Sequence, residues 1–392
     1  MAELISRTLE PTLKRMANYF RIIWLAGPRQ SGKSTLTHIA FPEYKHVDLD
    51  DADLKTYINS DPRAFLKTMP KRLIIDEAQR APHLFPALKI AVDEDQEPGR
   101  YILTGSQNYL LMQNISESLA GRVGLLELMP LSYQELIDAG NLLSVDEFML
   151  KGGYPELFLR DLPLDVFFNS YIKTYVQRDV SNLKKIGDLA LFQKFIMMLA
   201  HTVGSPLNVN SVARELGIDW HTAHNWLSVL ERSYIVTLLR PYYKRVKRTL
   251  TRSPKLYFCD TGLLCHLLKI NSLEALLTGK YLGHIFENLI VSETRKFYLN
   301  QGKIPELYYY RDDSKREIDL LDLSDAHSPR AIEIKAAGIY HEHFAQHLQT
   351  VTPELSIPQE NRFVVLRNNN SYHSSGINIV SAHDYLRNNL TH

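Results

Sequence analysis

The eight residues Gly27-Pro28-Arg29-Gln30-Ser31-Gly32-Lys33-Ser34 constrain this chain more than any other stretch. They match G-x-x-x-x-G-K-[ST], follow the apolar β-type run Ile22 to Ala26, and lead into a helical pattern at Thr35-Leu36. A strand, a glycine-rich turn and a helix start form a phosphate cradle, because backbone N–H groups can approach phosphate oxygens only where side chains do not intervene. Gly27, Pro28, Arg29, Gln30, Ser31, Gly32, Lys33, Ser34 and Thr35 are therefore the candidate nucleotide-binding residues, with Lys33 reaching the β and γ phosphates of ATP and the Ser34 hydroxyl facing Mg²⁺. Such a loop needs a parallel sheet behind it. The runs Tyr44 to Leu49, Leu73 to Ile75 and Tyr101 to Leu103 alternate with helical patterns as that sheet requires.

The second of these runs ends in Asp76-Glu77. A strand delivering two carboxylates beside the loop supplies a magnesium ligand, Asp76, and a group that polarises the attacking water, Glu77; a surface salt bridge is the other use open to Glu77. The third run ends at Thr104-Gly105-Ser106-Gln107, where Ser106 either points at the γ-phosphate or lytic water or forms part of a strand-terminating turn. Arg122 follows a helical stretch and is a candidate γ-phosphate arginine for a neighbouring subunit, or else a solvated helix-end arginine.

Charge and composition narrow the partners. With 45 Lys plus Arg against 44 Asp plus Glu in 392 residues, the formal charge is +1, so a nucleic-acid surface must be a local patch. Cys259 and Cys265 are the two cysteines, too few for a disulfide scaffold or a thiolate zinc site. They read as small buried residues. No apolar run approaches the roughly 20 residues that span a bilayer, and the expected location is the cytoplasm.

From about Asp165 to Val203, aromatic and aliphatic residues recur at helical spacing, which reads as a helical lid. Next, Asn210 can cap a helix carrying Val212, Ala213 and Leu216, Gly217 supplies a turn, and Asp219 caps a second helix through Ala223, Trp226, Leu227 and Leu230. This is a helix-turn-helix spacing, with His221, Thr222, His224 and Asn225 on the face that would enter a major groove. Trp220 and Trp226 read as core anchors. Arg240 to Lys255 then holds Lys244, Arg245, Lys247, Arg248 and Arg252 with no acidic residue, a phosphate-contacting wing if the partner is DNA and a solvated hairpin if the module docks a protein.

In Glu317-Ile318-Asp319-Leu320 and Ile332-Glu333-Ile334-Lys335, polar and apolar residues alternate, so Asp319, Glu333 and Lys335 can share one face of two paired strands, with Glu287 added from a preceding helix. Converging carboxylates call for a cation, Mg²⁺ or Mn²⁺, and Lys335 is placed to orient water. Cross-strand salt bridges are the alternative. The helix Glu, strand Asp, strand Glu-x-Lys order resembles the PD-(D/E)XK nuclease superfamily, without a Pro before Asp319, and the resemblance puts Glu287, Asp319 and Glu333 at metal positions and Lys335 at a catalytic one. His341, His343 and His347 match no zinc spacing.

Together, Gly27 to Ser34, Asp76-Glu77-Ala78-Gln79, Leu103 to Ser106, Ser118 to Arg122, Gly152-Gly153-Tyr154-Pro155-Glu156, Tyr175 to Asp179 and Ile332 to Lys335 resemble prokaryotic AAA-type ATPases that carry a C-terminal domain of unknown function. The resemblance implies an α/β fold: a P-loop AAA-type ATPase core over residues 1–150, a helical lid over 151–203, a winged-helix DNA-binding domain over 204–262 and a restriction-endonuclease-like, nuclease-like α/β domain over 263–392. The expected function is a DNA-associated ATPase, acting as a homo-oligomer off the membrane. The alternative is an ATP-operated switch whose C-terminal modules bind protein partners and have no nuclease activity.

Overall fold

Five short strands carry the phosphate loop: β1 (Ile22–Ala26), β2 (Lys45–Asp48), β3 (Leu73–Asp76), β4 (Tyr101–Gly105) and β5 (Val123–Glu127). The computed structural model describes residues 4–106, 119–175, 188–243 and 253–388. The strands are parallel, in the order β2-β3-β4-β1-β5. Alternate residues of β1 serve opposite faces: Ile22, Trp24 and Ala26 join one apolar core, Ile23 and Leu25 another. A strand buried on both sides reads as a continuous apolar run, which is how β1 appears in the sequence. The edge strand β5 carries Gly124 and an exposed Leu125 and gives no such run.

Beyond this sheet the chain changes core. Leu131, Tyr133, Phe148 and Met149 pack with residues as distant as Tyr385 rather than with β1–β5. The helices Leu164–Tyr175 and Leu189–Ala200 lie in the stretch expected to be a lid. The helices Val209–Leu216 and Trp220–Arg232 follow, separated by Gly217 in the left-handed conformation. Asp219 caps the second helix as its sequence suggests, but Asn208, not Asn210, caps the first, accepting from the Ser211 amide. The helix thus starts two residues earlier than an Asn210 cap implies, at the buried Val209.

After the second helix come β6 (Val236–Pro241) and β7 (Lys255–Phe258), paired antiparallel. They do not stand alone. With β8 (Leu307–Arg311), β9 (Glu317–Asp322), β10 (Arg330–Lys335), β11 (Arg362–Leu366), β12 (Tyr372–Ser374) and β13 (Ile377–Ser381) they make an eight-stranded sheet, ordered β12-β13-β11-β10-β9-β8-β6-β7. The boundary expected between 262 and 263 thus has strands of one sheet on both sides of it. The helix Leu282–Asn300 binds the halves together: Asn288 brackets Phe258 of β7 through both its amide and its carbonyl (2.7 and 2.8 Å), Arg295 pairs with Glu127 of β5 at 2.8 Å, and Lys296 donates to the Leu131 carbonyl at 3.0 Å.

Lys244, Arg245, Lys247, Arg248, Arg252 and the stretch Val176 to Asp179 lie outside the described residues. No helix among the described residues is long and apolar enough to cross a membrane.

Removing the cap oxygen at Asn208 leaves an orphaned helix N–H, so Asn208→Ala is expected to cost about 1 kcal/mol, while Asn210→Ala is near neutral; urea midpoints of the two variants check this.

Candidate nucleotide site

The loop between β1 and its helix is shaped by what cannot fit there. A Cβ on Gly27 would lie 2.1 Å from the Leu128 carbonyl oxygen, and Gly32 sits at φ +91°. Gly32 also leaves the helix Lys33–Ala40 without a side-chain cap, so its first amides are open to an anion. Lys33 is buried and lies along the loop, donating to the carbonyls of Gly27 (2.9 Å) and Pro28 (2.8 Å). The Ser31 hydroxyl is buried and has no hydrogen-bond partner among the described residues. An orphaned donor and uncapped amides around a lysine fit a phosphate group.

Asp76, at the end of β3, organises the far side. It accepts from the hydroxyls of Ser34 and Thr104, one on each carboxylate oxygen. A hydroxyl and a carboxylate held in contact fit the magnesium of a bound nucleotide. Glu77, at φ +52°, turns away from the strand, and its Oε2 accepts from Gln79 and, at 3.5 Å, from Ser106. The structure thus gathers Lys33, Ser34, Asp76, Glu77 and Ser106.

Arg122 does not join them. Its carbonyl bonds the amide of Ile22, at the opposite end of β1 from the loop, a strand length of about 16 Å away. Its guanidinium grips both oxygens of Asp93, at 2.6 and 3.0 Å. In this chain it serves a surface ion pair rather than its own nucleotide site.

Sequence reasoning missed three features here. His46 on β2 stacks on His38 with ring centroids 4.0 Å apart, beside Asp76, and burial followed by the charge of His38 lowers its pKa. Arg7 is buried and spans three elements, donating to the carbonyls of Ser31 and Met129 (2.7 Å each) and to Glu135 (3.1 Å). Next to the loop lies a cavity of about 340 Å³ bounded by Ile5, Thr35, Leu36, Leu131, Pro155 and Leu159. Pro155 and Leu159 belong to the segment after Gly152-Gly153, the only hint of this wall in the sequence.

That segment is tied to β7. The Gly153 amide donates to Asp260 at 2.7 Å, and a Cβ on Gly153 would lie 2.1 Å from the Leu131 carbonyl oxygen. The same Asp260 caps the helix Thr261–Leu267 through the Leu263 amide at 3.0 Å. Burial raises its pKa.

On the helix Trp220–Arg232, Trp226 is buried and packs edge-on against Phe192 and Phe195. Trp220 is not a core anchor: it is 49% exposed and lies against His221 and His224. As the first helical residue it precedes the turn whose period sets the buried face. His221 and Asn225 are exposed, whereas the Thr222 amide and hydroxyl are both taken by Asp219.

The terminal cluster converges with an unexpected member. Glu287, Asp319, Glu333 and Lys335 are close together, Lys335 lying 2.6 Å from Glu333 and 3.2 Å from Asp319. Lys255 of β7, only 2% exposed, reaches in from the hairpin to 2.9 Å from Glu287, 2.7 Å from Glu317 and 4.0 Å from Asp319. Burial opposes charge on both lysines, yet the facing carboxylates outweigh it and raise their pKa values. Burial likewise pushes Glu287 up to about 7 and Glu333 up to about 8. Among the described residues no three His, Cys, Asp or Glu side chains are arranged to hold a metal ion, and Glu287, Asp319 and Glu333 stand as a carboxylate cluster around the ammonium groups of Lys255 and Lys335.

Residues 19–137 match the AAA domain family, and with the loop and the Ser34-Asp76 contact they define an AAA-type P-loop ATPase core. Residues 142–274 and 282–385 match two domains of unknown function, DUF8612 and DUF4143. An uncharacterised protein of Mycobacterium tuberculosis is 33% identical over 327 residues, 82% of this chain and 72% of the relative, and the chain belongs to the same family. An uncharacterised protein of Haemophilus influenzae is 24% identical over 279 residues, 62% of this chain and 68% of the relative. Of solved structures, the Walker-type ATPase of Pyrococcus abyssi aligns with TM-score 0.45 and 14% identity over 66% of this chain and 94% of its own.

Arg7→Ala strips the buried Glu135 of its cation, a change expected to cost about 3–5 kcal/mol and to release the Ser31 carbonyl; chemical denaturation and titration with a fluorescent ATP analogue should show a lower midpoint and weaker binding together.

Proposed function

We propose that the chain binds and hydrolyses ATP with Mg²⁺ and uses nucleotide state to act on DNA. The contact of Ser34 with Asp76, with Glu77 held beside it by Gln79 and Ser106, carries the hydrolytic reading. Gly27, Pro28, Arg29, Gln30, Ser31 and Gly32 wrap the phosphates, Lys33 swings from its two carbonyl partners to the β and γ oxygens, Ser34 and Asp76 hold Mg²⁺, and the apolar cavity beside Thr35 receives the base. Held there, Mg²⁺ would supply neutralisation of the phosphate charge. Glu77, once Gln79 and Ser106 release it, takes the proton of the attacking water at Oε2.

The DNA reading is supported by the pairing of β6 and β7 directly after the helix-turn-helix, the arrangement of a winged helix, with Lys244, Arg245, Lys247, Arg248 and Arg252 in the segment joining them. His221, Asn225 and the exposed Trp220 offer the recognition face. The nuclease-like reading of the terminal module is supported by the succession of the helix Leu282–Asn300 with Glu287, β9 with Asp319 and β10 with Glu333 and Lys335, β9 and β10 pairing antiparallel. Nucleotide state reaches the hairpin through Gly153 and Asp260, because Pro155 lines the base cavity two residues from Gly153. Arg122, half-buried and held by Asp93, would have to leave that ion pair to reach the site of a neighbouring subunit in a homo-oligomer.

ATP turnover measured with and without duplex, branched and single-stranded DNA tests the reading. Lys33→Ala is expected to abolish nucleotide binding, and Glu77→Gln to keep binding while slowing turnover by about 10²–10⁴-fold; unchanged turnover in Glu77→Gln refutes its role. DNA should stimulate turnover, and neutralising Lys247 and Arg248 should remove the salt-sensitive part of that stimulation. No response to any DNA favours the protein-directed switch instead.

A further inference from the structure

A metal-dependent nuclease needs its carboxylates free to close on a cation at about 2.0–2.1 Å. In this chain that space has an owner. Lys255 delivers its ammonium from β7, across the sheet from the carboxylates, and is within 2.9 Å of both Glu287 and Glu317. Tyr257, two residues on and therefore on the same face of β7, donates to the same Glu287 oxygen at 2.6 Å. Glu317 is further held by Arg311 at 3.4 Å, and Asp319 is taken by Lys335 and by the Ile334 amide at 2.9 Å. Counting formal charges, the four carboxylates Glu287, Glu317, Asp319 and Glu333 face three cations, Lys255, Lys335 and Arg311. A divalent ion bridging Glu287 and Asp319 would have to displace Lys255 or share its position at the cost of direct repulsion.

We propose that the Lys255 ammonium is the resident cation of this cluster, so that the terminal module takes up no divalent metal and does not cleave phosphodiesters. The inference rests on the nuclease-like reading of the module but not on DNA binding or ATP turnover. The residue that takes the metal's place comes from β7, whose partner β6 pairs with β8 of the terminal strands. Ion pairing thus fixes β7 to the helix Leu282–Asn300 and to β9 at once.

The test is Mn²⁺ binding to the nucleotide-free full chain, read by the electron paramagnetic resonance signal of free Mn²⁺, for wild type, Asp319→Asn, Lys255→Gln and the double variant. Wild type and Asp319→Asn should bind the same amount, and Lys255→Gln should gain one Mn²⁺ per chain that the double variant loses. An Asp319-dependent Mn²⁺ in wild type overturns the proposal, as does a folded Lys255→Gln that gains none. Should Lys255→Gln fail to fold, the comparison of wild type with Asp319→Asn still decides: equal binding supports the resident ammonium, unequal binding refutes it.

Discussion

The buried carboxylate of Asp260 is the point on which the arrangement of the later part of the chain depends. It accepts from Gly153 ahead of the cavity wall and from Leu263 in the helix that follows β7. The backbones must come very close for this to happen. A Cβ on Gly152 would stand 2.3 Å from Asp260, and one on Gly262 would stand 2.3 Å from the Lys151 carbonyl oxygen. A buried carboxylate is costly unless its lone pairs are filled, so two backbone donors converge on it and the contact has little freedom to slide. Movement at Pro155 and Leu159 therefore has a short, stiff route to β7.

Two further charged groups act in the same way. Arg7 joins the N-terminal segment to the loop and to Glu135, and Lys255 joins the hairpin to the terminal sheet. Both are buried, and neither is worth much as an isolated attraction once desolvation is counted. What each supplies is a fixed geometry, because removal of one partner strands the other in a low-dielectric interior. Arg7 thus ties the phosphate loop to Glu135 and Lys255 ties β7 to the terminal strands, while the apolar cores fill the space between.

The parts of this scheme that could be read in the sequence are those that depend on neighbours along the chain. The phosphate loop, Asp76-Glu77 at a strand end, Gly217 as a turn and Asp219 as a cap each carry their reason within a few residues. The alternation that brings Asp319, Glu333 and Lys335 to one face is likewise local. Arg7 and Glu135 are separated by 128 positions, and nothing nearby marks either as a partner. Lys255 ends a basic run, which disguised a buried lysine as one more solvated charge. Trp220 shows the opposite error, since an aromatic residue at a helix start has no earlier turn to fix its face. Asn210 reads as the cap in the sequence, yet Asn208 caps the helix, whose first residue Val209 is buried.

The proposed coupling through Gly153 and Asp260 is the centre of this account. Amide hydrogen exchange on the full-length Glu77→Gln chain, with and without ATP and Mg²⁺, tests it most directly. The account predicts that ATP changes exchange in the phosphate loop and also at Gly153, at Leu263 and along β7. A response confined to residues 19–137, with Gly153, Leu263 and β7 unchanged, would contradict it.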